Sequence, residues 1–411
     1  MRVWKRANLR LISLSVLLSI LCMGCTEKPD GISEENKDTV VDTRQQERID
    51  ESIEIAEGYR DIYEAAVKNN ALDALETQRQ IVERIGEKGN VAVDRNNRIN
   101  MTNYKDAESF CQSAQEKAEA EVTLFSVMDE GGFLRYDMKT SKGSISVAVS
   151  RLEWEKGEPQ VVYYNEFEAY TWQFTEKGYL FIEEYRPSGY DGAPGEVAFR
   201  VKPLDQDCRD YCEKYVYPVG YADNNLFITD WNEQDISEPD FYDLYEKLYY
   251  VKYGTNVPYE PYEGAEYEVP AAEFEDVIQS YFNIGVEQIR ENTMYRVESE
   301  SYCYRPRGFR EGELPYGPYP EVVACKEQPD GTLHLYIEGV WERKLTDRAV
   351  ASELVVRPME NGGFQYVSNE VTFWNESLEF RWFTPRMTDE EWQSYYGQFY
   401  RYDKTGVCKF S

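Results

Sequence analysis

From about residue 120 onward the apolar residues change from a helical to an alternating spacing, and the gaps between the alternating runs are too short to hold more than a turn. Residues 122–128, 133–138, 145–152, 161–170 and 179–185 each read as a strand, with EGG, SKG, KGEP and EKG among the connections. A parallel neighbour needs a crossover of a dozen or more residues, so runs joined by such turns must pair antiparallel. The expected element is a meander with one face offered to a helix.

The second half repeats the plan. A helix at 271–290 is followed by strands at 293–304, 321–326, 332–341, 351–357 and 364–373, with PDG and ENGG as turns. A step of 188 residues lays Gly143 on Gly331, Ile145 on Leu333 and Leu152 on Val340. A step of 185 then lays Gly178 on Gly363 and Tyr179 on Phe364. This register predicts an internal duplication of one helix-plus-meander unit. The competing account is that any two meanders share alternation and glycine turns. A helix followed by a bent meander is similar to NTF2-like and cystatin-like units, an analogy of fold that assigns no activity.

Ahead of the first unit, Ile49, Ile53, Ala56, Tyr59, Tyr63 and Ala66 recur at helical steps, Asn69-Asn70 interrupts, and Leu72, Leu75, Val82 and Ile85 resume. The fold class is therefore α+β: an N-terminal helical hairpin, a third helix near 103–120, and two meander units. Helices at 208–215 and 239–253 and the Tyr- and Pro-rich VPYEPYEGAEYEVP connect the units, and a last helix covers 388–396. The expected divisions are 1–24, 25–42, 43–262 and 263–411.

The first 24 residues read as a leader. Arg2, Lys5, Arg6 and Arg10 precede a 13-residue apolar run at 11–23, shorter than the roughly 20 residues that span a bilayer. Its end, LCMGC, resembles a bacterial lipoprotein signal, with Cys22 where that signal usually carries Leu. The resemblance implies cleavage between Gly24 and Cys25 and diacylglycerol on Cys25, two acyl chains being enough for stable anchoring. The acidic, aperiodic residues 25–42 then read as a disordered tether of roughly 20–25 Å. The expected location is the extracellular face of the cell membrane, as in the lipoproteins of Gram-positive bacteria whose domains have unknown function. No enzyme family is recognised.

Acidic residues outnumber basic ones 76 to 45, and loss of the leader's four cations takes the net charge from −31 to −35. Such a chain is repelled by phosphate backbones, which excludes nucleic acid as a partner. The single histidine, His334, lies on the face of a strand opposite Leu333, Leu335 and Ile337, so it reads as a strand residue rather than a catalytic base. Multi-histidine zinc sites are excluded, and no cofactor or metal is expected. Beyond Cys25 the cysteines are Cys111, Cys208, Cys212, Cys303, Cys325 and Cys408. Cys303 and Cys325 flank a Pro-rich loop and form a candidate disulfide. Cys208 and Cys212 read as buried thiols.

Three stretches carry candidate chemistry. The loop 230–241 offers oxygens at alternate positions but has Asp235 at the sixth place and Phe241 at the twelfth, against the calcium-loop pattern. Glu166 with Glu168, or Glu183 with Glu184, would be needed for glycosidase chemistry. The loop YRPRGFREGELPYGPYP, residues 304–320, gathers aromatics and arginines in a very acidic protein, and makes Tyr304, Arg307, Tyr316 and Tyr319 a candidate binding loop. Its alternative is a connection packed by its own tyrosines. The expected function is non-catalytic binding of a ligand or protein partner outside the cell. The alternatives are a carboxylate-dependent glycan or cell-wall hydrolase and a structural accessory of an envelope complex.

Overall fold

The computed structural model describes residues 35–312, 316–378 and 382–397. Gly24, Cys25, Cys408 and most of the predicted tether lie outside them. The chain divides into two units, Met1–Arg48 and Ile49–Ser411. Helix α1 (Glu35–Glu57) begins inside the stretch read as tether and runs on through Arg44, Gln45, Gln46, Glu47 and Arg48, residues that favour a helix intrinsically. The continuous stripe from Ile49 to Ala66 is broken at Gly58-Tyr59 before α2 (Arg60–Asn69) and α3 (Leu75–Gly86). The break lets the fully buried Tyr59 donate its hydroxyl to the Gly131 carbonyl at 3.0 Å.

The first sheet has the order β1-β2-β3-β4-β5, from β1 (Val91–Asp94), β2 (Ala120–Val127), β3 (Phe133–Ser141), β4 (Ser144–Glu155) and β5 (Glu158–Glu168). The meander β2 to β5 is antiparallel as expected. Strand β1 is parallel to β2, with α4 (Tyr104–Gln115) as the crossover. Its four residues are all buried and carry no alternation, which is why the sequence pattern passes over it. One face of the sheet takes Ile81, Val82 and Ile85 of α3. The other face takes Phe110 and Cys111 of α4, together with a three-stranded sheet of β6 (Thr171–Phe174), β7 (Tyr179–Glu183) and β8 (Glu196–Arg200).

Downstream come α5 (Gln206–Tyr211), run on by a π turn at Cys212–Val216, then β9 (Trp231–Asn232) and α6 (Phe241–Tyr253). The predicted helix at 271–290 is two, α7 (Ala271–Tyr281) and α8 (Val286–Glu291). Strands β10 (Tyr267–Pro270), β11 (Tyr295–Arg296) and β12 (Ser301–Tyr304) form a small sheet. The last sheet, in the order β13-β14-β15-β16-β9, is built from β13 (Tyr319–Glu327), β14 (Leu333–Val340), β15 (Val350–Pro358) and β16 (Phe364–Trp374). Helix α9 (Asp389–Tyr396) follows, with Thr388 and Glu391 in a capping box. The fold is mixed α+β, with nine α-helices and mainly antiparallel sheets among the described residues.

One apolar core runs from Cys208 to Trp382. Residues 208–248, predicted to belong with the first meander, thus pack with the second, and the core changes between Val201 and Cys208 rather than near 262. The 188/185-residue register is not the one the sheets use. Tyr179 lies in the small β6-β7-β8 sheet, whereas Phe364, its predicted equivalent, lies in a five-stranded one. What recurs is a four-strand meander whose first turn is the same in both halves. Met128 N–H donates to Gly132 O and Gly131 N–H to Met128 O, and Gln328 with Thr332 and Gly331 repeats that pattern at a step of 200.

The halves meet at a buried polar knot. Glu321 of β13 accepts from Arg200 Nη1 at 3.0 Å and lies 3.4 Å from Arg209 Nη1, all three side chains being under a tenth exposed. The Tyr179 hydroxyl adds a third donor at 3.0 Å. Among the described residues no helix is long and apolar enough to cross a membrane.

Candidate functional site

A cleft of about 860 Å³ opens beside the second sheet. It is lined by the N-terminal turn of α6 and by residues drawn from 225–239, 291–294 and 383–392. Aromatic surface comes from Trp374, Phe383 and Trp392, and carboxylates from Glu238, Asp240, Glu291, Glu311 and Asp389. The cations in its wall are Arg305 and Arg386.

Both guanidiniums are engaged from behind. Arg386 donates from Nε to Asp243 Oδ1 and from Nη2 to Glu246 Oε1, each at 2.6 Å. Asp243, whose side chain is fully buried, also takes Arg307 as a two-pronged partner at 2.8 and 2.6 Å. A planar guanidinium fork matches a carboxylate in this way, and a charge so deep in the protein requires such a partner. Arg307 Nη1 donates to the carbonyls of Glu311 and Thr384 at 3.0 and 2.8 Å, and Glu311 receives the N–H groups of Met387 and Gly308. Residues 383–387 are thereby strapped onto α6 and the 305–311 loop.

Arg305 bonds Glu266 and Asp389 and lies 4.0 Å over the Trp392 ring, leaving its buried Nη1 with no partner among the described residues. Asp240 caps α6, accepting from the N–H of Tyr242 at 2.9 Å and of Asp243 at 3.1 Å. Burial, and next the Asp243 charge, push its carboxyl up to about 6, with Arg386 pulling the other way. The cleft therefore presents a carboxyl poised near neutrality, further carboxylate acceptors and apolar ring faces. It repels anions and suits a ligand that stacks on rings and donates O–H or N–H groups.

The structure separates the predicted binding-loop residues. Tyr304 is a core residue of β12 whose hydroxyl bonds Glu246, and Arg307 is the buried partner of Asp243. Tyr319 opens β13 at the junction of the halves, with its hydroxyl beside Asn97 and Tyr179. Tyr316 alone of the four is well exposed. The loop is thus mostly internal packing, and Arg305 and Arg307 are drawn inward because Asp243, Glu266 and Asp389 pair with them there, while Arg310 stays exposed. Cys303 and Cys325 are both free thiols, one on β12 and the other on β13 of a different sheet, so the structure does not join them.

His334 Nδ1 sits against Glu353 on the sheet face. In the 230–241 loop the oxygens of Asp230 and Asn232 are spent within the fold. Asp230 accepts from Val371 N–H, and Asn232 accepts from the N–H groups of Gln234 and Asp235. Glu166 and Glu168 are exposed on β5, and Glu184 pairs with Arg186. Glu183, raised by burial and then by Glu196 opposite it, faces no cleft carboxylate. The sequence reading missed Asp240, Trp374, Phe383 and Arg386. The signal that singled out 304–320, an aromatic and basic run in an acidic chain, is repeated by WFTPR at 382–386.

The chain belongs to a family of unknown function, DUF6070, whose model matches residues 45–386. Comparison with curated proteins found no match, and comparison with solved structures found none.

Proposed function

We propose that the protein is an extracytoplasmic lipoprotein, held on the outer face of the membrane through diacylglycerol on Cys25, that binds a hydroxyl-rich ligand such as a saccharide in the α6 cleft without transforming it. The observation that carries the reading is the lining itself: aromatic side chains and carboxylates surround a cavity of ligand size while its arginines are held by Asp243, Glu246, Glu266 and Asp389. Carboxylates accept sugar hydroxyls, and ring faces cover the C–H face of a pyranose. Anchoring is supported by the basic, apolar leader ending in LCMGC.

The test is calorimetric titration of the purified chain with a panel of N-acetylhexosamine oligosaccharides. Binding should fall at least tenfold in Trp374→Ala and Phe383→Ala and stay unchanged in Tyr170→Ala, an exposed ring on the other half. No binding across the panel, or equal loss in all three variants, removes the saccharide reading. Labelled palmitate should mark the wild-type protein in cells and spare Cys25→Ser. A second reading, a glycan hydrolase with Asp240 as acid, is favoured by that carboxyl's raised pKa in a cleft. It requires product release from the same oligosaccharides that Asp240→Asn abolishes.

A further inference from the structure

The Sγ atoms of Cys208 and Cys325 lie 3.4 Å apart, both as free thiols. The residues are 117 positions apart, so packing of α5 on β13 brings them together rather than local chain geometry. The same two elements are tied by Arg209 of α5 and Glu321 of β13. The other described cysteines are engaged elsewhere. Cys212 Sγ faces the Pro320 carbonyl at 3.7 Å, Cys303 Sγ faces Arg296 Nη2 at 3.3 Å, and Cys111 is buried in the first-half core.

We propose that Cys208 and Cys325 are a disulfide-forming pair that fastens α5, and with it the junction of the two halves, to the edge of the second sheet when the protein meets a small disulfide oxidant. A disulfide bond is about 2.05 Å long, so the sulfurs must close by roughly 1.3 Å, within the reach of side-chain rotation. Cys325 is partly exposed and takes the oxidant first. Its thiolate attacks one sulfur of the oxidant's disulfide, forming a mixed disulfide and expelling one oxidant thiolate. Cys208 then gives up its proton and attacks the Cys325 sulfur, expelling the second oxidant thiolate. Two protein thiols are oxidised, one disulfide is reduced, and the two protons end on the expelled thiolates.

Burial, and next the bond to Cys325, push the Cys208 thiol up to about 12, which makes it the slower, second nucleophile. The link locks the segment that carries Arg209 against the strand that carries Glu321. It stands apart from the binding reading, since it involves no cleft residue.

The purified full chain is treated with oxidised glutathione, unfolded in iodoacetamide, digested without reductant and analysed by mass spectrometry. The expected product joins the Cys208 and Cys325 peptides, lighter by two hydrogens than the pair, with Cys111, Cys212 and Cys303 alkylated. Cys212→Ser should leave the link intact, and Cys325→Ser should abolish it. Oxidised wild type should melt above its reduced form, and that gap should vanish in Cys208→Ser and Cys325→Ser. Full alkylation of both cysteines, a lasting glutathione adduct on Cys325, or a link from Cys325 to Cys212 or Cys303 overturns the proposal. So does a melting temperature that oxidation leaves unchanged.

Discussion

Asp240→Asn separates the two roles that one side chain plays at the cleft. Asparagine keeps an oxygen for the N–H groups of Tyr242 and Asp243, so the α6 cap survives. What disappears is a carboxyl that burial and Asp243 raise from 3.8 to about 6. Its pKa is higher in the folded chain than in the unfolded one, so the stability linked to its proton is fully present below pH 3.8 and is lost as pH climbs through 6. With 1.36 kcal/mol for each pH unit, the loss reaches about 3 kcal/mol at neutral pH, and about half of it is already in place at pH 5. Subtracting wild-type from variant stability cancels the titration of the many other carboxylates. The assay is urea unfolding of both proteins at half-unit steps from pH 4 to pH 8. The variant's advantage should be small at pH 4 and grow until it levels above pH 6. An advantage that is flat across this window, or one that shrinks as pH rises, refutes the assignment of a strained carboxyl to the cleft.

At the junction, Glu321→Ala leaves Arg200 and Arg209 buried without their carboxylate, and urea unfolding should register a loss of about 3–5 kcal/mol. Asp243→Asn removes the charge shared by Arg307 and Arg386 and should cost a similar 3–5 kcal/mol, with protease cutting near residues 383–387 rising as the strap loosens. Gly132→Ala would place a Cβ 2.2 Å from the Leu152 carbonyl and should lower stability by about 2 kcal/mol, whereas Ala at Gly157, which carries a positive φ but has open space around it, should cost less, about 1 kcal/mol, from backbone strain alone.

The meanders were legible because alternation and short glycine turns leave one solution. Residues 122–128, 133–138, 332–341 and 364–373 fall on β2, β3, β14 and β16. The elements that escaped lack that signal. Val91–Asp94 is buried on every residue, and β9 is two residues that exist only because Trp231 and Asn232 pair with Asn369 and Ser368. Such strands are made by tertiary contact, and local pattern is silent about them. The boundary near 262 failed for a related reason. Proline and acidic residues mark where chain is irregular, but a core is defined by which apolar faces meet, and those of α5 and α6 meet the second sheet.

The candidate site was harder to read because its charges are mutually cancelling and distant in sequence. In a chain with 76 acidic residues, the arginines at 305, 307 and 386 look like places where charge turns positive and faces outward. Desolvation forbids that outcome for a guanidinium drawn under a tenth exposed, so each must find carboxylates, and the nearest are Asp243 on α6, Glu266 before β10 and Asp389 at the start of α9. The consequence reverses the functional reading of the basic loop. Arg305 and Arg307 are not a recognition surface for anions; they are the pins that hold Trp392 and Phe383 beside a cavity whose lining is aromatic and acidic. A ligand selected by that surface must therefore be sought among hydrogen-bond donors with an apolar face, the opposite of what the local charge of residues 304–320 suggests.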